Sequence, residues 1–286
     1  MFKRHLWCLF SYRVDVCKSL IGKKREKMAS IAEIQDQLRT VNAHEFSALE
    51  ELLAQDERRG VQRALASARK RLAKEALEQQ RLSELYRFEQ EVSGGKVAVG
   101  LDEVGRGPLA GPLTIGAVVL NPAADPIAGL NDSKQIKESE RPAIAEAVKQ
   151  AARAYAVVHI PPQDIDEFGI MACLRRAFSE AVAQVEAQGV QVEAILLDGN
   201  PLKIDAREIN VVKGDARCAS IAAASVIAKV QRDALMVAYD AEYPGYDFAS
   251  SKGYGSAAHR RAIEEKGLSP IHRTSFCSNF IQERLF

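Results

Sequence analysis

The sequence predicts an α/β fold: a mixed sheet flanked by helices, preceded by an N-terminal helical extension. Three observations carry that reading. Apolar residues recur at helical spacing from Ser30 to Glu91. After Ser93-Gly94-Gly95 the texture changes to short runs rich in β-branched residues. Those runs first stand close together and then alternate with helical segments, which implies both hairpin and crossover connections. The 286 residues, 47% apolar and 27% charged, fall in the ordinary globular range and exceed what a minimal core needs.

Residues 1–27 carry eight Lys and Arg against Asp15 and Glu26, a net +6, so the rest of this +1 chain carries −5. A mildly acidic body is not that of a strong non-specific nucleic-acid binder. The apolar run Leu6 to Phe10 is too short for a signal-peptide core, and Arg13 and Asp15 break any continuation of it. Residues 1–27 are therefore expected to be a disordered tail, or translated sequence ahead of a true start at Met28. The helical extension is placed at 28–92. Ser30 with Glu33 reads as a capping box. Ile31, Ile34, Leu38 and Val41, then Leu49, Leu52 and Leu53, then Val61, Leu65, Ala68 and Leu72 mark successive apolar faces, continued loosely by Leu77, Leu82 and Leu85. Arg58, Arg59, Arg63, Arg69, Lys70, Arg71 and Lys74 crowd the other side, interleaved with Glu57, Glu75 and Glu78. A hairpin packed on the main body, a surface for duplex phosphates and a plain solvated face all remain open for this charge run.

The main domain is expected at 96–280, with 281–286 as a C-terminal tail. Strands are predicted at Val97–Leu101 and Leu113–Leu120, paired as a hairpin across a Gly- and Pro-rich turn. A helix is predicted at 138–153. A third strand runs from Tyr155 to Ile160, where Pro161-Pro162 stops it. Residues 170–188 form a long helix that ends at Gly189. Strands at Glu193–Leu197 and Ile209–Val212 end in Asp198-Gly199 and in Lys213-Gly214-Asp215. The Ala-rich stretch 216–241 is a tightly packed helix. No run of 18 apolar residues exists, so no spanning helix and no membrane association are expected. Five cysteines without a CxxC pair suit a reducing compartment, such as the cytoplasm.

Acidic residues cluster at strand ends: Asp102-Glu103, Asp198 and Asp215. Sites in α/β sheets gather outside the carboxyl ends of strands. Adjacent residues on a strand face opposite ways, so Asp102 and Glu103 converge only if the strand bends, which Gly105 and Gly107 permit. Four carboxylates brought together repel one another and raise each other's pKa, and a divalent cation resolves the conflict. Oxygen ligands without His or Cys favour Mg²⁺ or Mn²⁺ over zinc. Paired metals about 4 Å apart would suit phosphodiester hydrolysis.

The run from Gly100 to Pro112, GLDEVGRGPLAGP, closely resembles the first motif of the ribonuclease HII family. Further matches occur in order along the chain: Asp132-Ser133-Lys134, Leu197-Asp198-Gly199, Lys213-Gly214-Asp215, the stretch Ser220–Val230, Lys252-Gly253-Tyr254-Gly255, and His272-Arg273 with Ser275-Phe276. The resemblance implies a ribonuclease H-like fold and a bacterial-type helical extension. It also implies an endonuclease that hydrolyses the RNA strand of RNA–DNA hybrids. The same enzyme would cut at ribonucleotides embedded in duplex DNA, leaving 3′-hydroxyl and 5′-phosphate ends.

By the same resemblance Asp102, Glu103, Asp198 and Asp215 are the catalytic metal ligands for Mg²⁺ or Mn²⁺, two ions during catalysis. Gly105, Arg106 and Gly107 contact the ribonucleotide, partly through its 2′-hydroxyl. Tyr254 is the substrate tyrosine. Lys134, Ser225, Lys229 and Lys252 are expected to hold the DNA backbone. Where the family has a second lysine after Asp-Ser-Lys, this chain has Gln135, and Arg260-Arg261 stand as a candidate substitute. His259 and His272 are placed near the site without a metal role. A monomer is expected, and the sequence names no protein partner. Ribonuclease HIII is the nearer rival, opposed by Arg106 and by the helical extension. A non-catalytic binding module is the more distant one, opposed by the presence of all four acids.

Overall fold

The computed structural model describes residues 29–278. The expectations for 1–27 and 281–286 lie outside the described residues. The chain divides into two compact units, one ending at Glu78 and one running from Gln79 onward. The division falls inside a single long helix.

The first unit holds α1 (Ile31–Thr40), α2 (Ala43–Leu53) and the first part of α3 (Arg59–Ser93). Two reciprocal capping boxes start its short helices. Ser30 and Glu33 exchange bonds of 2.8 and 3.3 Å, and Asn42 and Glu45 do the same at 3.4 and 2.9 Å. Ile34, Leu38, Val41, Phe46, Val61, Leu65 and Ala68 form its core. The helical spacing read from the sequence thus selects the buried face, although Leu52 and Leu77 point to solvent.

The second unit is built on a five-stranded sheet in the order β3-β2-β1-β4-β5. Its strands are β1 (Ala98–Val104), β2 (Leu113–Leu120), β3 (Ala152–Ile160), β4 (Ala194–Asp198) and β5 (Glu208–Val211). β1 and β2 pair antiparallel, as do β2 and β3, whereas β4 runs parallel to both β1 and β5. The helices are α4 (Arg141–Ala151), α5 (Pro162–Phe168), α6 (Ile170–Glu186), α7 (Gly214–Arg217), α8 (Ala219–Glu242), α9 (Phe248–Ser251) and α10 (Ala257–Lys266).

Helices cover both faces of the sheet, which is why its strands read as near-continuous apolar runs. On one face α6 packs Leu174, Phe178, Val182 and Val185 against Val99, Leu101, Ile115 and Val158. On the other, α8 and α4 meet the sheet with Leu82 and Leu85 of α3. Alanines let α8 lie close: a Cβ on Gly116 would stand 2.2 Å from the Ala224 carbonyl oxygen. Pro161-Pro162 ends β3 as expected, but Pro162 also opens α5, because a missing N–H costs nothing at the first turn of a helix.

Candidate active site

Parallel pairing sets the carboxyl ends of β1 and β4 side by side, and β5 delivers the chain to α7 at the same edge. Asp102 and Glu103 lie in the last part of β1, Asp198 is the final residue of β4, and Asp215 lies in α7. The ladder runs unshifted through Asp102↔Gly116, Glu103↔Ile115 and Val104↔Thr114, so no bulge interrupts β1 here, and the carboxyls of Asp102 and Glu103 both feel the charge of Asp198.

Asp102 is 6% exposed. Burial first, then the charges of Glu103, Asp198 and Asp215, push its carboxyl up to about 8, against a lowering bond from Ser225. Glu103 is raised by burial and by Asp198, with the Arg106 guanidinium 3.7 Å away opposing the shift. Asp198 is raised by burial and by Asp215, although it accepts a 2.6 Å bond from the Gly214 N–H. Lys134 Nζ stands 3.3 Å from Asp215 and 3.6 Å from Asp132. Burial alone would lower its pKa, but Asp132 and Asp215 outweigh that and raise it.

The donor set is all oxygen and carries excess negative charge, so its chemistry fits a hard divalent cation. Among the described residues no three His, Cys, Asp or Glu side chains are close enough to share one ion.

Gly105-Arg106-Gly107 comes directly after β1. Gly105 has φ +85°, and a Cβ there would stand 2.2 Å from Arg232 Nε, so both conformation and space require glycine. Two fully buried arginines hold this region. Arg273 donates to the carbonyls of Gly105 (2.6 Å), Arg106 (3.0 Å) and Gly111 (2.9 and 3.1 Å). Arg232 donates to those of Pro112 (2.9 Å), Ala110 (3.2 Å) and Lys252 (2.9 Å). The Leu109 N–H donates to the Gly253 carbonyl at 2.9 Å, tying the glycine loop to the Lys252–Tyr254 segment.

Tyr254 leaves its side chain exposed (46% for the residue), while its carbonyl is held from within. His259 Nδ1 lies 2.8 Å from that carbonyl, and His259 Nε2 lies 3.0 Å from His272 Nε2. The Ser269 N–H donates to His272 Nδ1 at 2.8 Å. With both rings neutral this fixes the tautomers: Nδ1–H on His259 and Nε2–H on His272.

The remaining expected contacts are placed less openly. Ser225 is 3% exposed, and its hydroxyl faces Ser133 Oγ at 2.9 Å and the Asp102 carboxyl. Lys229 pairs with Asp233 at 2.8 Å. Lys252 donates to the Ala249 carbonyl and lies 3.7 Å from Glu138. Sequence reasoning passed over Arg232, Arg273 and the bonding of His259 and His272. His272 and Arg273 stood in a noted motif, but Arg232 had no signal, because an arginine on a long helix reads as surface.

Residues 99–279 match the family model of Ribonuclease HII, and residues 30–93 match that of the Ribonuclease HII N-terminal domain. The chain belongs to the ribonuclease HII family. The ribonuclease HII of Listeria monocytogenes serotype 4b is 41% identical over 249 residues, 86% of this chain and 94% of its own length. That of Listeria innocua serovar 6a matches with the same identity and coverage. The solved ribonuclease H2 of Pyrococcus horikoshii OT3 gives a TM-score of 0.57 at 25% identity, over 65% of this chain and 97% of that one. Bst-RNase HIII, solved in complex with Mn²⁺, gives 0.55 at 21%, over 66% and 70%, a likeness of fold. Membership of this family makes the chain a ribonuclease H endoribonuclease.

Proposed function

We propose that this member of the ribonuclease HII family is a divalent-metal-dependent endonuclease that hydrolyses the RNA strand of RNA–DNA hybrids. It also cuts at single ribonucleotides embedded in duplex DNA, leaving 3′-hydroxyl and 5′-phosphate ends. The observation that carries the reading is the acid cluster at the shared edge of β1, β4 and β5, whose buried member Asp102 feels three neighbouring carboxylates, offset by the Ser225 hydroxyl and by the charge of Lys134.

Asp102, Glu103, Asp198 and Asp215 are the side chains that would hold Mg²⁺ or Mn²⁺. Two such ions, when bound, would lower the pKa of an attacking water and stabilise the departing oxyanion. Ser225 orients the Asp102 carboxyl rather than touching the DNA backbone. Lys134, the exposed cation beside Asp215, is positioned to meet a phosphate. Lys229 and Lys252 would reach the backbone by exchanging their present partners for phosphates. Gly105, Arg106 and Gly107 read the ribose, with their loop held by Arg273, and the exposed ring of Tyr254 packs against the neighbouring sugar. Cys173, Cys218 and Cys277 are buried and free, which supports a reducing compartment such as the cytoplasm.

The test is cleavage of matched duplexes carrying zero, one or four ribonucleotides, with Mg²⁺, with Mn²⁺ and with chelator. Cutting is expected at one and four ribonucleotides, at none in the all-DNA duplex, and nowhere with chelator. Asp102→Asn and Asp215→Asn should each reduce cutting by about 100-fold or more while remaining folded by circular dichroism. Undiminished cutting by either variant sinks the metal assignment. Cutting of the four-ribonucleotide duplex alone sinks the claim about embedded single ribonucleotides.

A further inference from the structure

The cations from Arg58 to Lys74, together with Arg87, fall into two sets. Arg58 pairs with Asp56 at 2.6 Å, Arg71 with Glu75 at 2.9 Å, Arg87 with Glu91 at 2.6 Å, and Arg69 with Glu50. Arg59, Arg63, Lys70 and Lys74 are exposed, and their side chains have no hydrogen-bond or ion-pair partner among the described residues. These four are separated by four, seven and four positions. At 3.6 residues per turn they project within about 60° of one another, along about 22 Å of helix. Ala66, Ser67 and Ala73 flank this sector, and no acid stands between Arg59 and Lys74. Arg39 of α1 and Arg63 line one cavity of about 330 Å³, with Gln35 and Ser67.

Overall basicity does not explain this stripe. Residues 29–78 hold eight Lys and Arg against nine Asp and Glu, a net −1. A merely solvated face in such a unit would mix its signs. Here the acids take up the arginines on the other sides of α3 and leave one sector purely cationic. Duplex nucleic acid presents a negative charge about every 1.7 Å of axis, so a stripe of this length spans several phosphates.

We infer that the Arg59-Arg63-Lys70-Lys74 face of α3 is a sequence-independent docking surface for the phosphate backbone of the duplex substrate. The inference rests on the proposed action on duplex nucleic acid. It assigns to the helical extension the affinity for flanking duplex, separate from the chemistry of the acids. The mildly acidic second unit then needs only local contacts around the cut.

The test uses the full chain and a fluorescent all-DNA duplex of about 30 base pairs, titrated at several salt concentrations. The stripe variant carries Arg59→Gln, Arg63→Gln, Lys70→Gln and Lys74→Gln. A charge-matched control carries Lys96→Gln, Arg153→Gln, Arg175→Gln and Lys203→Gln, at exposed positions outside α3. The stripe variant should bind about tenfold or more weakly at moderate salt. Its slope of log affinity against log salt should shrink by about 0.9 for each lost phosphate contact, while the control keeps the parental slope. Parental binding by the stripe variant, or equal losses in both variants, overturns the inference. So does a parent that binds anionic phosphatidylserine vesicles through the stripe while duplex binding is unaffected by the substitutions. Cleavage of a ribonucleotide-containing duplex by the parent separates the two readings: without it the proposed function fails, and with it the binding comparison judges the stripe alone.

Discussion

Arg273 forms no ion pair with a carboxylate among the described residues. Its guanidinium is fully buried and satisfied by backbone carbonyls of Gly105, Arg106 and Gly111. Burial, then the charge of Arg232, lowers its pKa to about 10, so it stays cationic at neutral pH. A planar fork serves three carbonyls at once, which a single ammonium cannot do. Arg273→Lys should therefore lower stability by about 2–4 kcal/mol, read as a fall in the thermal midpoint. It should also raise KM for a duplex with one ribonucleotide more than it lowers kcat, because the loop and not the acids is disturbed. A Lys variant with the parental midpoint and KM would contradict the clamp. The acids stand out in the sequence because they recur at three strand ends of one predicted sheet, where a lone Asp-Gly would read as a turn. The clamp is not legible, because arginine is usually a surface residue and its partner Gly105 lies 168 positions away.

The helix that lies across the sheet, α8, starts without a capping side chain of its own. Glu89 of α3 supplies the acceptor instead, taking the Ser220 N–H at 2.6 Å and the Cys218 thiol at 3.4 Å. Its carboxylate faces the positive end of α8, where an anion is favoured, while burial raises its pKa. Replacing Glu89 by Leu should cost about 1–3 kcal/mol by orphaning the Ser220 N–H. Glu89→Gln keeps an acceptor oxygen and should lose less, and urea midpoints of the two variants compare them directly. Strands were readable at this scale from their β-branched runs, and α6 and α8 from their apolar faces. The short helices α5, α9 and α10 were not, because tertiary contacts rather than a long apolar face define them. Phe248 of α9 and Ile263 of α10, for instance, are buried only in a small cluster with Met236 and Ile271.

The molecule as a whole carries a buried neutral pair whose protonation opposes folding. Burial, then the neighbouring His259, depress the His272 pKa to about 4. The unfolded chain takes up that proton near pH 6.5, and the folded protein does not. This contribution is thus complete above about pH 6.5, falls as pH drops, and levels off below about 4. Its full size is about 3 kcal/mol. Tyr246 and Phe248 pack on the pair and add no charge, while Asp247 acts weakly on His259. His272→Gln should flatten this part of the stability profile, so the gap between parent and variant midpoints should narrow from pH 7 to pH 4.5. A constant gap would show that the pair does not titrate as described. The mixed topology was legible from the order of the elements. The division of the chain inside α3 was not, because no glycine or proline marks a break near Glu78.

The bond between Arg273 and Gly105 also has a meaning in the order of synthesis. Gly105 and Arg106 emerge early, immediately after the first strand. The guanidinium that fixes their carbonyls is made 168 positions later. A nascent chain therefore cannot set this loop, whatever local structure it has already gained, because the closing contact is among the most non-local in the molecule. The loop takes its final form only after the strands and helices between these two positions have been made.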